Sequence, residues 1–236
     1  MWFASIWIFT LKLPWQLGAE FFMKHLADGD AASNTLSWRW VAGLQTKGKH
    51  YVAQAWNISK FTNNKYKNVK LNEQAQPLED FRNYTIQKIN YPSKPQYKNL
   101  LFFENDLNLE TINLNDYQSI YSVLLDNKNR KLELDSKLIN YKNQLMDDQL
   151  GRLKQKVQKI TIDGLLNLIK SNKEFDVIYP GIGENLTFLK ETQTKQSLSL
   201  NYILRAQDLY CYQFSNKGFF NFKEHIPKII AELKLA

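Results

Sequence analysis

Apolar positions crowd the start of the chain. Trp2, Phe3, Ile6, Phe9 and Thr10 recur at helical spacing, and Trp7 and Ile8 widen the apolar face. A helix apolar on most sides belongs inside a larger helical assembly. Met1 to Leu11 has no basic residue before Lys12 and no small-residue cleavage pattern before Pro14, unlike a secretory leader. It is also shorter than the roughly 20 apolar residues a bilayer requires. We read it as a buried helix. Pro14 suits the first turn of a second helix, with Trp15, Leu17, Phe21, Phe22 and Leu26 as its buried side. His25, near the end of that helix, reads as structural and favours the C-terminal dipole when charged. A third helix is predicted from about Ala31 to Ala42, stopped by Gly43.

From Leu44 to Lys67 the pattern turns irregular, through Thr46-Lys47-Gly48-Lys49 and Asn57-Ile58-Ser59-Lys60-Phe61. Residues 68–97 hold Pro77, Pro92 and Pro95 among polar positions and read as a linker. A second pattern follows. Leu100 to Phe103 and Ser119 to Leu125 are short apolar runs of covered-strand type, and Leu132 to Gln158 reads as a long charged helix. Leu165 to Ile169 marks another helix, Val177 to Tyr179 and Tyr202 to Leu204 two further strands, and Phe222 to Leu233 a final helix. Strands alternating with helices predict a parallel sheet. The expected fold class is therefore mixed α and β: an all-α helical segment (1–67), a linker (68–97) and a small parallel α/β, Rossmann-like domain (98–236). Gly181-Ile182-Gly183-Glu184 has part of a phosphate-loop pattern, but Leu186 occupies the third glycine position, which favours an ordinary strand-to-helix turn.

At 236 residues, 44% hydrophobic and 14% aromatic, the chain has the apolar content for packed cores. Its net charge of +8 suits a nucleic-acid surface, but the lysines are spread rather than clustered. No element interleaves aromatic and basic residues, which argues against a plain nucleic-acid-binding module. Cys211 stands alone, so an internal disulfide and a cysteine-rich metal site are excluded, and a reducing cytoplasm suits the chain.

The stretch with candidate chemistry is Asp28-Gly29-Asp30-Ala31-Ala32-Ser33-Asn34-Thr35-Leu36-Ser37-Trp38-Arg39-Trp40. Gly29 permits a tight acidic turn through backbone angles other residues avoid, and Asp30 is a helix N-cap. Asn34 and Trp38 stand four residues apart on one helical face. Two carboxylates, an amide and an indole thus converge, although a capped helix with core tryptophans accounts for the same residues.

This stretch, preceded by Leu13-Pro14-Trp15-Gln16-Leu17-Gly18-Ala19-Glu20-Phe21-Phe22 and a Trp-rich helix, resembles the flavin-binding half of the photolyase/cryptochrome family. The likeness runs over Met1 to Thr62 and includes Lys60-Phe61-Thr62, similar to a KF(T/D) pattern near the flavin. It implies FAD as cofactor, with Asp28, Gly29 and Asp30 at its polar edge. Asn34 matches the position opposite flavin N5, where an amide accepts from a protonated nitrogen or donates to an unprotonated one. Trp38 matches the ring-proximal member of an electron relay and Trp15 the middle one. Trp2, Trp7 and Trp56 are substitutes for the third, with core packing favoured for each. In that family several helices precede the position of Met1. They carry phosphate-binding hydroxyls, much of the adenine pocket and the DNA-facing basic residues, so an N-terminally truncated flavin domain is expected. The segment Asn216 to Glu224 resembles a GFFxFK element of the α/β portion that follows the flavin domain in some relatives. The implied activity is light-driven electron transfer for DNA photorepair or blue-light sensing. If the flavin domain is completed, the chain is expected to resemble a deoxyribodipyrimidine photolyase. The partners implied are DNA and a second chain supplying the remaining helices, with no membrane. The alternative is a non-catalytic remnant or subunit that needs such a partner to complete the FAD pocket.

Overall fold

The computed structural model describes residues 1–46, 48–82, 84–85, 94–216 and 218–234. Lys47 of the irregular stretch, Pro92 of the expected linker and Lys217 of the tail segment lie outside the described residues. The chain forms two compact units, Met1–Asn83 with Leu132–Leu138, and Tyr84–Lys131 with Ile139–Ala236.

In the first unit, α1 (Trp2–Ser5) runs straight into a π-helical turn, Ile6–Thr10. That wider winding ends with the Leu11 amide donating to the Ile6 carbonyl at 2.9 Å and the Leu13 amide to the Trp7 carbonyl at 3.0 Å. Lys12 beyond it has φ 55°, uncommon for a residue with a side chain. Ala4, Ser5, Ile8 and Phe9 are buried, so the helix is internal on one side, while Phe3 is exposed.

Helix α2 (Trp15–His25) starts after Pro14, as its sequence predicts. Its buried face differs from the expected one. Gly18 and Ala19 are the buried residues, while Leu17 and Phe21 are 53% and 48% exposed. The physical reason is close approach: small residues let α2 press onto α3 (Ala31–Ala42), and the Trp38 indole fills the space a β-carbon on Gly18 would need. α3 has its predicted bounds. The Asp30 side chain accepts from the Ser33 amide at 2.7 Å, and Gly43 closes the helix at φ 87°. A further short helix, α4 (Ala55–Phe61), lies in the stretch expected to be irregular.

Part of the expected linker packs with this unit instead. Asn72 Nδ2 donates to the Phe9 carbonyl at 3.3 Å, and Arg39 pairs with Asp80 at 3.2 Å. Ala75 joins the core of Ile8, Phe9, Ala19, Trp38, Val41 and Ala42. Polar, proline-containing chain reads as a linker from composition, but here its side chains meet carbonyls and charges that helices leave open.

The second unit is a five-stranded parallel sheet in the order β3-β2-β1-β4-β5, from β1 (Asn99–Phe103), β2 (Ser119–Val123), β3 (Gln158–Ile160), β4 (Glu174–Ile178) and β5 (Ser199–Ile203). Leu101 is paired with Tyr121 on one side and Val177 on the other. Leu100 and Phe102 enter one apolar layer and Leu101 and Phe103 the opposite one, so β1 reads as a continuous apolar run because both its faces are covered. Helices α5 (Ser136–Arg152), α6 (Ile162–Ser171) and α7 (Glu184–Gln196) connect the later strands, and α8 (Ala206–Tyr212) and α9 (Phe219–Leu233) follow. The single long helix expected over Leu132 to Gln158 is shorter, and β3 takes its far end.

In the middle of β4, Asp176 is wholly buried. It accepts from the Gln96 and Tyr97 amides, at 2.9 and 3.2 Å, and from Asn201 Nδ2 at 2.7 Å. Burial, reinforced by this carboxylate, pushes the Tyr117 hydroxyl pKa upward.

Candidate functional site

The acidic turn and the face of α3 border one open pocket of about 570 Å³. Its lining includes Asp28, Gly29, Asp30, Asn34 and Trp38, so these five predicted residues come together. Gly29 is there for space and not for its backbone angles: it is absent from the left-handed glycines, and a β-carbon on it would lie 3.1 Å from the Leu26 carbonyl oxygen. The Leu26 carbonyl also accepts the Gly29 amide at 3.1 Å, closing the turn.

Asn34 has a fixed orientation. Its Nδ2 donates to the Ala19 carbonyl at 2.8 Å, and an oxygen in that place would face another oxygen. Oδ1 therefore remains the acceptor for a ligand proton. Trp38, 3% exposed, is packed by Phe22 at 5.2 Å, Phe3 at 6.3 Å and Trp7 at 6.4 Å between ring centroids. A ring on this wall is held in one place.

Trp15 does not line this pocket. It borders a second cavity of about 640 Å³, with Lys12, Pro14 and Gln16, and the Arg39 guanidinium lies 5.8 Å from its ring centroid. Of the substitute tryptophans, Trp7 touches Trp38, whereas Trp2 donates to Asn57 at 2.9 Å and Trp56 is 64% exposed.

Sequence reasoning left Ser33, Ser37 and Trp40 without roles, although all three border the pocket. Their spacing of four and three residues was the available signal, because it sets them on one helical stripe beside Asn34. Met1, Ala4 and Val41 complete an apolar side.

The Gly181-Ile182-Gly183-Glu184 segment is a strand-to-helix turn, with Gly181 at φ 71°. Glu184, at the head of α7, accepts from the Lys131 amide at 2.7 Å and from Arg130 at 3.1 Å. Glu184 thus sets a negative charge in the first turn of α7, which opposes an anion there. Asn185 donates to Asn105 at 2.9 Å and Asn105 to the Pro180 carbonyl at 2.8 Å, filling the crevice between the ends of β1 and β4.

Among the described residues no group of three His, Cys, Asp or Glu could hold a metal ion. Among the same residues no helix is long and apolar enough to cross a membrane.

Residues 1–96 match the family described as the FAD binding domain of DNA photolyase. This part of the chain is a segment of a photolyase-family FAD-binding domain, and FAD is its cofactor. Curated relatives lie in the same family. The chain is 42% identical over 48 residues to a deoxyribodipyrimidine photo-lyase of Buchnera aphidicola, covering 20% of this chain and 10% of the relative. It is 49% identical over 43 residues to that of Streptomyces griseus, covering 18% and 10%. The chain thus spans about a tenth of the length of these relatives. No solved structure matches the chain.

The pocket suits the flavin ring better than the rest of FAD. Its volume lies within the range of small-molecule sites, with an apolar wall, an amide acceptor and a rigid indole. Its lining contains no lysine or arginine, and its two aspartates oppose a diphosphate. Ser33 and Ser37 are the hydroxyls present.

Proposed function

We propose that the chain is a photolyase/cryptochrome-like flavoprotein segment that binds FAD and passes electrons to it under light, for DNA photorepair or blue-light sensing. The observation that carries this reading is the convergence of Asp28, Asp30, Asn34 and Trp38 on one pocket within the stretch that matches the family. Bound FAD would supply the light absorption and the one-electron chemistry. Asn34 Oδ1 would hold the proton at N5, while the acidic turn would orient the polar edge of the ring. Trp38 would be the first electron donor and Trp15, one helix behind, a second. DNA is the proposed partner, and the cytoplasm the proposed location.

The absence of lysine and arginine from the described lining also favours a second reading, in which another chain supplies the diphosphate site. A dinucleotide held at one end still incurs the full cost of being ordered. Isothermal titration with FAD decides between these readings. Weak binding by the chain alone, lost on Asn34→Ala and Asp28→Ala, is the expected result. Submicromolar binding would mean the pocket needs no partner, and an affinity untouched by both variants would place the flavin elsewhere.

A further inference from the structure

We infer that Trp7 is an outlet for the positive charge left on Trp38 after light-driven electron loss, competing with Trp15. The inference rests on the flavin reading above and deepens it. Trp38 is in ring contact with Phe3, Phe22 and Trp7. Phenylalanine rings are far harder to oxidise than indoles, so Trp7, 6.4 Å away and at 83°, is the oxidisable ring in contact.

The surroundings of Trp7 favour the charge. Its Nε1–H donates to the Pro14 carbonyl at 2.9 Å, setting the negative end of a dipole against the nitrogen that becomes acidic on oxidation. The rings of Phe3 and Phe21 lie along it at 5.8 and 6.5 Å, with interplanar angles of 23° and 15°. The π-helical turn fixes its backbone, the Leu13 amide capping the Trp7 carbonyl. Trp15 has the opposite environment. A guanidinium over its face attracts the neutral ring but repels a positive one. Asp80, paired with Arg39, offsets part of that charge, so the Trp15 branch is slowed and not closed.

One electron leaves Trp38 for the light-excited FAD. One electron then passes from Trp7 to Trp38, which returns to its neutral form and leaves Trp7 oxidised. Trp7 is partly exposed, and a one-electron reductant of the thiol class from solution restores it.

The test uses the full chain with saturating FAD and, if required, its completing partner. Transient absorption follows the charge-separated state in the parent, in Trp7→Phe and in Trp15→Phe. Trp7→Phe is expected to shorten its lifetime by about tenfold, and Trp15→Phe by less. Pulsed electron paramagnetic resonance on the unmutated protein locates the radical without any substitution, and is expected to find it at Trp7. A radical resident on Trp15, or an unchanged lifetime in Trp7→Phe, overturns the inference while the flavin reading stands. Failure to bind FAD, or photoreduction indifferent to Trp38→Phe, overturns both.

Discussion

The Trp38 indole lies directly on Gly18, where a β-carbon would sit 3.0 Å from Cζ2 and overlap the ring atoms beyond it. The contact explains why a glycine stands in the middle of α2. Gly18→Ala should destabilise the first unit, since overpacking costs about 1–3 kcal/mol. The better helix propensity of alanine returns about 1 kcal/mol at most. Gly151→Ala in α5, where nothing lies within 4 Å, supplies the control and should stabilise. Urea unfolding of both variants, with tryptophan fluorescence, which comes from the first unit, as a second probe, checks this. Equal shifts in the two would show that α2 gives way freely.

In the second unit, Arg130 and Glu104 form an ion pair at 2.6 Å, with side chains 7% and 2% exposed. Each also binds backbone at Leu125, by Arg130 Nε to the carbonyl at 2.8 Å and by Glu104 Oε2 to the amide at 3.2 Å. Arg130→Met leaves a buried carboxylate without its partner and should cost about 3–5 kcal/mol. Combining it with Glu104→Gln should recover part of that loss. A double-mutant cycle from denaturant midpoints is the measurement, and additive losses would mean that water already reaches the pair.

Much of this molecule is legible in its sequence where one local rule suffices. Asp30, Gly43 and the period of α3 fix that helix, and the apolar runs at Leu100 and Ser119 become strands covered on both faces. Readings failed where burial depended on close approach. Periodicity assigns large side chains to the inner face of α2, yet Gly18 and Ala19 are buried and Phe21 is exposed, because the Trp38 ring needs the room. The strand β3 was missed because Gln158 and Lys159 are exposed at the sheet edge and give no apolar alternation. In the pocket, the spacing of Asn34 and Trp38 placed both residues on one face, while the ring contact of Trp7 depends on a π-helical turn that no periodicity announces.

Glu110 has its pKa held down to about 2, chiefly by its hydrogen bond with Arg152 at 2.9 Å, then by its own backbone amide and by Gln149. The folded value lies below the unfolded value of 4.5, so the unfolded state binds the proton more readily. The contribution of this group is complete above pH 4.5 and is lost as pH falls toward about 2. Both side chains are well exposed, so salt should weaken the effect. Carboxyl-carbon NMR titration should find the Glu110 midpoint far below that of an ordinary glutamate, and Arg152→Gln should raise it. An unmoved midpoint in Arg152→Gln would assign the depression to the backbone amide instead.

Asn34→Asp exchanges an amide for a carboxylate on the pocket wall and leaves α3 capped by Asp30. The cost has two parts. The donor to the Ala19 carbonyl is lost, and two oxygens then face each other at the position now spanned by 2.8 Å. The new charge also stands beside Asp28 and Asp30, in a pocket whose described lining has no lysine or arginine. Adding electrons to a flavin bound here makes it more negative, and a carboxylate at close range opposes that step. The variant is therefore expected to lower the midpoint potential of bound FAD and to weaken its binding. Asn34→Gln, which keeps the amide, should disturb the potential less even where its greater length disturbs packing. Spectral titration with dithionite against a reference dye gives the potentials, and isothermal titration the affinities. If Asn34→Asp reduces at the parent potential while still binding FAD, Asn34 does not face the redox-active edge of the ring, and the flavin lies in the pocket in another orientation.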